Sequence, residues 1–240
     1  MSSRYSAAWE GFWSEAAYSQ GDAIWDSDPD VTAATHVPIF EPYLDPSLPM
    51  LDLGCGNGTQ TRYLATRYQP MIGIDLSGSA IERARALDVD KRVQFRLANV
   101  LDRGVPEALH QEFGDLNVYM RGIIHQSEPA DRDTVSAAVA TLIGADGRVF
   151  CLELAIAAAP LLRAIAGSPA GPPEKIQKMF KHGLTPAQID DAALAGYVER
   201  AGIRIAHQGT LPLHSTLNDP ATTLPYQFPM VYFIGQRRAR

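Results

Sequence analysis

The sequence predicts an α/β fold: one doubly wound, mostly parallel sheet of seven strands with helices on both faces. Three observations lead there. A short apolar run, Met50–Leu53, opens into a turn with glycine at alternate positions, Gly54, Gly56 and Gly58, as where a strand feeds a helix through a tight turn. From there to residue 154, short apolar runs alternate with helix-forming stretches, the rhythm of βαβ units, which build a parallel sheet covered on both faces. Two late apolar segments, parted by a loop with proline and threonine, read as an antiparallel hairpin at the sheet edge.

The elements follow in order. Tyr5, Trp9, Phe12, Trp13 and Ala16 recur at helical spacing, so a helix with one aromatic face is expected ahead of the first strand. Asp28-Pro29 marks a loop, a second helix is expected over about 31–43, and Pro46 and Pro49 end this lead-in. The first strand, Met50–Leu53, is followed by a helix over 60–68. The second strand, Met71–Asp75, ends on an acid. Ser77 or Ser79 caps the next helix, which runs to about Leu87, with Ser79 and Glu82 at capping-box spacing. A third strand, Val93–Leu97, a helix over Val105–Phe113, a fourth strand over 115–121 and a helix over 131–142 come next. Gly144-Ala145-Asp146-Gly147 then turns the chain into a fifth strand, Arg148–Leu154. The rhythm breaks over 155–181, where alanines lead into Gly167-Ser168-Pro169-Ala170-Gly171-Pro172-Pro173, a loop by composition. Thr185-Pro186-Ala187-Gln188 reads as a helix start, with a threonine cap and proline in the first turn. That helix is expected to end near Ala201-Gly202, and the last strands are placed at about 203–213 and 230–236.

Composition sets bounds. At 240 residues the chain makes one domain, or one domain with additions. A net charge of −6 argues against a nucleic-acid partner, which calls for a basic stripe. Two cysteines, Cys55 and Cys151, make neither a disulfide framework nor a zinc site. The start lacks the apolar core of a signal peptide. The most apolar segment, 151–167, is interrupted by Glu153, Pro160 and Arg163, so no membrane span is expected and the cytoplasm is the expected location.

The glycine turn narrows the ligand. Its amides, with the helix N-terminus behind them, make a site for a carboxylate or phosphate. A dinucleotide fingerprint needs a third glycine where Thr59 stands, and a P-loop needs a lysine that does not follow. What remains, Asp52-Leu53-Gly54-Cys55-Gly56-Asn57-Gly58, resembles the glycine motif of the class I S-adenosylmethionine-dependent methyltransferases, a family with a Rossmann-like fold. The resemblance covers about 50–236. Asp75 ends the second strand 17 residues after Gly58, where the family has the acid that accepts hydrogen bonds from the ribose hydroxyls, and Leu76 is placed on the adenine face. Asn99 stands where the family usually has an aspartate near the adenine amino group; an amide oxygen also accepts from an amine, and Asp102 is the alternative. The segment 115–121 is similar to the family's motif just ahead of the acceptor cleft.

The resemblance thus implies S-adenosylmethionine as cofactor and S-adenosylhomocysteine as product. It implies cofactor contacts from Asp52, Gly54, Cys55, Gly56, Asn57, Asp75, Leu76, Asn99, Val100 and Arg121, with the amino-acid end on the amides around Gly54. It divides the chain into an N-terminal helical lid segment, 1–49, and a methyltransferase domain, 50–240, with an acceptor-side insertion over 155–184.

Methyl transfer is an in-line displacement, helped by holding nucleophile and methyl in line with water excluded. No metal is needed, and no metal-ligand spacing appears. A hydroxyl acceptor needs a base, and His125, just past the fourth strand, is the candidate; the alternative is a histidine that packs or hydrogen-bonds at the helix start. Arg121 holds the methionine carboxylate or an anionic acceptor, or forms a surface salt bridge. Tyr18, Trp25, His125, Glu153 and His182 are the candidate acceptor contacts. The Asn-Pro-Pro-Tyr type of motif of many enzymes that methylate amino groups in nucleic acids and proteins is absent after the fourth strand. With the acidic charge and the aromatic front end, this points to a small organic acceptor, methylated on oxygen, nitrogen or sulfur, and to tailoring in secondary metabolism. Two other readings stand beside it. One is a non-catalytic S-adenosylmethionine-binding module with the aromatic front as a partner surface. The other is a nicotinamide-dependent oxidoreductase, against which Thr59 counts. The oligomeric state is left open.

Overall fold

The computed structural model describes residues 4–16, 21–169 and 171–238. Helices α1 (Arg4–Glu15) and α2 (Ala33–Phe40) precede the first strand. Then come β1 (Met50–Leu53), α3 (Thr59–Leu64), β2 (Met71–Asp75), α4 (Gly78–Leu87), β3 (Val93–Leu97), α5 (Val105–Phe113), β4 (Asn117–Arg121), α6 (Arg132–Ile143) and β5 (Arg148–Leu154). Helices α7 (Ala159–Ala166) and α8 (Glu174–Lys181) fill the stretch where the rhythm breaks. Helix α9 (Asp191–Arg200) and strands β6 (Ile203–Asn218) and β7 (Pro225–Arg237) follow.

The seven strands form one sheet in the order β3-β2-β1-β4-β5-β7-β6. Strands β1 to β5 run parallel, whereas β7 is antiparallel to β5 and β6 to β7. The chain winds outward from β1 to β3, then from β4 winds the other way. Neighbouring crossovers diverge between β1 and β4 and leave a crevice beyond the carboxyl ends of those strands, where open α/β sheets bind ligands.

Side-chain alternation sorts the strands into two cores. Leu51 and Leu53, Val118 and Met120, and Val149 and Cys151 face the side covered by α5, α6 and α9. Met50, Tyr119, Phe150 and Leu152 face the other side, under α2. That second core is aromatic: Phe150 is stacked between Tyr119 and Tyr232 at ring distances of 5.6 and 5.8 Å, with Phe40 of α2 at 5.1 Å. His36 of α2 sits in the same layer, 2.8 Å from the Tyr119 hydroxyl. Burial pushes its imidazole down to about 3, so it is neutral there.

The structure departs from the sequence reading in four places. The helix expected over 31–43 is α2 flanked by 3-10 turns, Pro29–Val31 and Glu41–Tyr43; Pro42 has no N–H to continue the α pattern, and the end tightens. The stretch over 185–190 is extended, and α9 starts a turn later. Its cap is Asp190, whose carboxylate accepts from the Ala192 N–H at 2.9 Å, while the Ala187 N–H is spent on the His125 carbonyl, 2.9 Å away. Helices α7 and α8 were not foreseen, although Ile176, Met179 and Phe180 have helical spacing. The late strands are longer than expected, because prolines that argue against a central strand are tolerated on an edge or an overhang. β7 pairs β5 only from Met230 onward, so residues 225–229 project past the carboxyl end of β5 toward the crevice.

Phe150→Ala is expected to cost about 3–5 kcal/mol of stability, the range for truncating a fully buried ring, read as a lowered urea midpoint with an unchanged slope.

Candidate functional site

A large cavity occupies the crevice. Its floor is the glycine turn after β1 with the ends of β2, β3 and β4; its roof is α1 with residues 24–26, and Tyr5, Trp9, Trp13 and Trp25 line it. Leu162 of α7, Met179 of α8, Pro186, and Leu213, Phe228 and Met230 of the hairpin close the far side. The structure therefore brings Asp52, Gly54, Cys55, Gly56, Asn57, Asp75, Leu76, Asn99, Val100, Arg121, His125 and Trp25 around one space. Glu153, His182 and Asp102 do not line it, and Tyr18 lies outside the described residues.

The turn is built for close approach. Gly54 and Gly56 have φ of +75° and +54°, left-handed values that glycine alone takes without strain. A Cβ on Gly54 would collide with Ile123, and one on Gly56 would lie 2.7 Å from the Trp13 ring. Four amides of the turn, those of Gly54, Cys55, Gly56 and Gly58, are spent internally, which corrects one expectation. Gly54 and Cys55 donate to the Ile74 carbonyl at 2.8 and 3.0 Å, and Gly58 donates to the Cys55 carbonyl at 2.9 Å. Gly56 donates to Asp75 Oδ2 at 2.9 Å. The amides around Gly54 shape the turn and have no proton left for an incoming carboxylate.

Asp75 joins the turn to the start of α4, because its other oxygen accepts from the Ser77 N–H at 2.9 Å. Burial pushes its carboxyl up to about 6, against the hydrogen bonds from Ser77, Gly56 and Leu76. Asp52, bonded by the Thr61 hydroxyl at 2.6 Å, is likewise pushed up to about 6 by burial. The Asn99 amide oxygen accepts from the Leu101 N–H at 3.0 Å and retains one lone pair for a second donor.

Beyond β4, Glu153 takes a place the sequence did not suggest. It is fully buried, and its oxygens accept from the backbone N–H groups of Ile123, Ile124 and His125 at 3.0, 2.9 and 3.0 Å. His125 Nδ1 lies 2.6 Å from Glu153 Oε2. The carboxylate is thus consumed behind the cavity wall, and the expected acceptor contact from Glu153 is corrected to a contact with His125. Alternation puts Arg121 on the aromatic side of the sheet, where it is the sole arginine or lysine among the described residues lining the cavity. It makes no hydrogen bond or ion pair with them.

The roof is fastened by polar contacts at both ends. Glu10 of α1 caps α4: its carboxylate accepts from the hydroxyls of Ser77 and Ser79 at 2.7 and 2.5 Å and from the Ser79 N–H at 3.2 Å. On the opposite side, three lysines of α8 reach over. Lys175 donates to the Gly21 carbonyl, Lys178 to the Glu15 carbonyl and to Asp22, and Lys181 to the Glu15 carboxylate. His182 belongs to this clasp and not to the acceptor: its ring packs on Gly11 and Nε2 is 3.2 Å from Glu15. Asp26 ties the lead-in to the glycine turn by accepting from the Asn57 side chain at 2.7 Å. Sequence reasoning missed Glu10, Asp26 and the lysines, since each partner lies far away in the chain. Trp9 and Trp13 were legible as part of the aromatic helix face.

Comparisons with known proteins agree with the fold. Residues 50–147 match the family model of a methyltransferase domain. A SAM-dependent methyltransferase from Anabaena variabilis ATCC 29413 superposes with a TM-score of 0.90 at 25% identity, over 97% of this chain and 95% of that one. A protein described for the conversion of a disulfide bond into a thioacetal group during echinomycin biosynthesis shares the fold, with a TM-score of 0.69 at 18% identity over 99% and 93% of the two chains. So does magnesium protoporphyrin IX methyltransferase from Synechocystis PCC 6803 with bound S-adenosylhomocysteine, with a TM-score of 0.56 at 16% identity over 87% and 82%. No curated protein matches the chain.

Glu10→Ala is expected to destabilise the roof by about 1 kcal/mol, the scale of a lost helix cap, seen as faster amide exchange in α1 and the first turn of α4. Burial raises the Glu10 carboxyl, but the hydrogen bonds from Ser79, Ser77 and Gly78 outweigh it and hold the group below the usual glutamate range. A carboxyl depressed by folding stabilises above its unfolded value and loses that contribution as pH falls through its folded value. The protection factors of the roof amides should therefore fall in acid, and less so in Glu10→Gln.

Proposed function

Because the chain belongs to the class I S-adenosylmethionine-dependent methyltransferases and uses S-adenosylmethionine, we propose that it methylates a small organic acceptor on oxygen, nitrogen or sulfur. The observation that carries the size and character of the acceptor is the closed far side of the cavity. Leu162, Met179, Leu213, Phe228, Met230 and Trp25 leave an apolar chamber, roofed by a helix and too enclosed for a folded macromolecule. The neighbour from echinomycin biosynthesis lends support to a tailoring role in secondary metabolism. No described helix is long and apolar enough to cross a membrane; we place the reaction in the cytoplasm. We divide the chain as the resemblance implied, into the 1–49 lid and the 50–240 domain with its 155–184 insertion.

The residues present fit the cofactor. The glycine turn lets a ligand lie against the backbone, and Asp75 keeps a carboxylate edge at the rim for two ribose hydroxyls. Leu76 and Val100 would pack against the base, and Asn99 would offer its amide to the amino group. With the amides of Gly54, Cys55 and Gly56 spent, Arg121 would hold the methionine carboxylate, as the one arginine or lysine among the described residues lining the cavity. Asp52, Gly54, Cys55, Gly56 and Asn57 shape the floor beneath. The cofactor supplies an electrophilic methyl group on a sulfonium. The protein then has to hold the acceptor in line, exclude water under α1 and accept a proton where the acceptor atom carries one. His125 is the group at hand for the last task. A binding module without turnover is the second reading, and the aromatic roof favours it only if no acceptor is found; the methyltransferase domain sets the nicotinamide reading aside.

Titration calorimetry with S-adenosylhomocysteine tests the cofactor site. Binding is expected in the wild type, and Asp75→Ala should weaken it by more than about tenfold, as loss of two charge-assisted bonds would. Affinity should fall as pH drops below about 6, where Asp75 becomes protonated and loses acceptor strength. In Asp75→Asn that dependence should flatten, any remainder belonging to Asp52. Absence of binding by the intact wild type would remove the reading. On a panel of small acceptors, His125→Ala should lower turnover of hydroxyl members while leaving the affinity for S-adenosylhomocysteine unchanged.

A further inference from the structure

The carboxylate behind His125 has more to do than hold a turn. Glu153 Oε1 accepts from Ile123 and Ile124, and Oε2 accepts from the backbone of His125. A carboxyl that receives three amide protons is an acceptor on both oxygens, so at 2.6 Å the His125 ring has to present a proton to it. One competitor exists. The Leu154 N–H lies 3.3 Å from the same Nδ1 and would ask that nitrogen to accept. A neutral contact at 3.3 Å loses to a charge-assisted one at 2.6 Å, since the alternative sets an imidazole lone pair against a carboxylate. With Nδ1 protonated, the neutral ring leaves Nε2 as a bare acceptor.

Nε2 is the ring nitrogen that the Glu153 contact leaves without a partner. His125 lines the cavity, and its Nε2 has no hydrogen bond to the described residues. Gly122 lies close beside the ring. It has φ of +69°, and a Cβ there would stand 3.2 Å from Cε1 and 3.7 Å from Nε2 of the ring.

We infer that Glu153 is a positioning residue, which locks His125 in the Nδ1–H tautomer and aims a free Nε2 lone pair at a hydroxyl acceptor. The assignment of the acceptor rests on the methyl-transfer reading; the tautomer does not. In the step, the acceptor O–H proton passes to Nε2 as the oxygen bonds to the methyl carbon. The bond from that carbon to sulfur breaks with its electrons, leaving a neutral thioether. The imidazolium so formed faces the Glu153 carboxylate, which stabilises it without taking its proton. A thiolate or a free amine has little need of this pair. A hydroxyl does, and that is why the acceptor class follows from the geometry.

Nitrogen-15 correlation spectra of the histidine-labelled full chain, without and with S-adenosylhomocysteine, test the inference, with His125 assigned through His125→Asn. The expected spectrum shows a protonated Nδ1 and an unprotonated Nε2 for the neutral ring. Glu153→Gln should shift much of the population to the Nε2–H form, as the Leu154 N–H becomes the better partner, whereas Glu153→Asp should keep the wild-type tautomer. A wild-type Nε2–H signal overturns the inference, and so does a Glu153→Gln spectrum identical to wild type. If Glu153→Gln fails to fold, the wild-type spectrum decides alone. On a hydroxyl acceptor, Glu153→Gln should lower kcat at least about tenfold with KM little changed, and Glu153→Asp should recover most of it. Equal loss in both variants would mean that the carboxylate serves the fold alone. Failure to bind S-adenosylhomocysteine would remove the methyl-transfer reading and leave the tautomer result standing.

Discussion

Burying the Glu153 carboxylate at the end of β5 is costly unless its lone pairs are met, and donors from the turn after β4 meet them. Three consecutive amides converge there as they do in backbone anion sites, but the anion is the protein's own. The contact fixes the path of 122–125, and with it the His125 ring and the carbonyl to which Ala187 docks. Asp75 makes a parallel arrangement on the other side of the crevice, tying the glycine turn to α4 through two amides. The two acids differ in what they leave over. Asp75 retains 9% of its surface at the cavity rim, while Glu153 retains 0%, so one can meet a ligand and the other meets the chain alone.

Much of the architecture was legible because βαβ units announce themselves locally. Leu51 and Ile72 belong to short apolar runs that end at glycine or acid, and such runs leave few alternatives. The failures are as instructive. Thr185-Pro186-Ala187-Gln188 satisfies the local rules for a helix start, yet the chain stays extended because a tertiary hydrogen bond to His125 takes the amide. The expected strands left out the overhang of the hairpin, whose Pro225 and Pro229 fell in the stretch read as loop; these prolines are harmless where no neighbouring strand needs their N–H. Of the site, the pieces set by strand ends came through in the sequence, Asp75 and Asn99 among them. Glu153 was read as an acceptor contact, because its pairing with the turn after β4 depends on the register of β5 against β4, which no local pattern encodes.

Helix α1 shows how one aromatic face serves two purposes. Phe12 and Trp13 are buried in the main core, with Trp13 filling the space that Gly56 leaves empty. Trp9 and Tyr5, one turn away, remain partly open on the cavity, and Trp9 meets Trp25 edge-on at 5.5 Å. Apolar packing holds the helix to the body without directing it. Direction comes from Glu10 at one end and from the lysines of α8 at the other, contacts that solvent and salt weaken far more readily than they weaken the core.

Helices α7 and α8 contribute Leu162 and Met179 to the chamber wall and, through Lys178 and Lys181 on Glu15 of α1 and Lys175 on Gly21, the clasp on the roof. Part of the chamber wall and the grip on the roof are thereby carried by a single surface module, apart from the glycine-turn side of the crevice. Transplanting that module onto a sister scaffold would carry both traits across together, and a drift in either one drags the other with it.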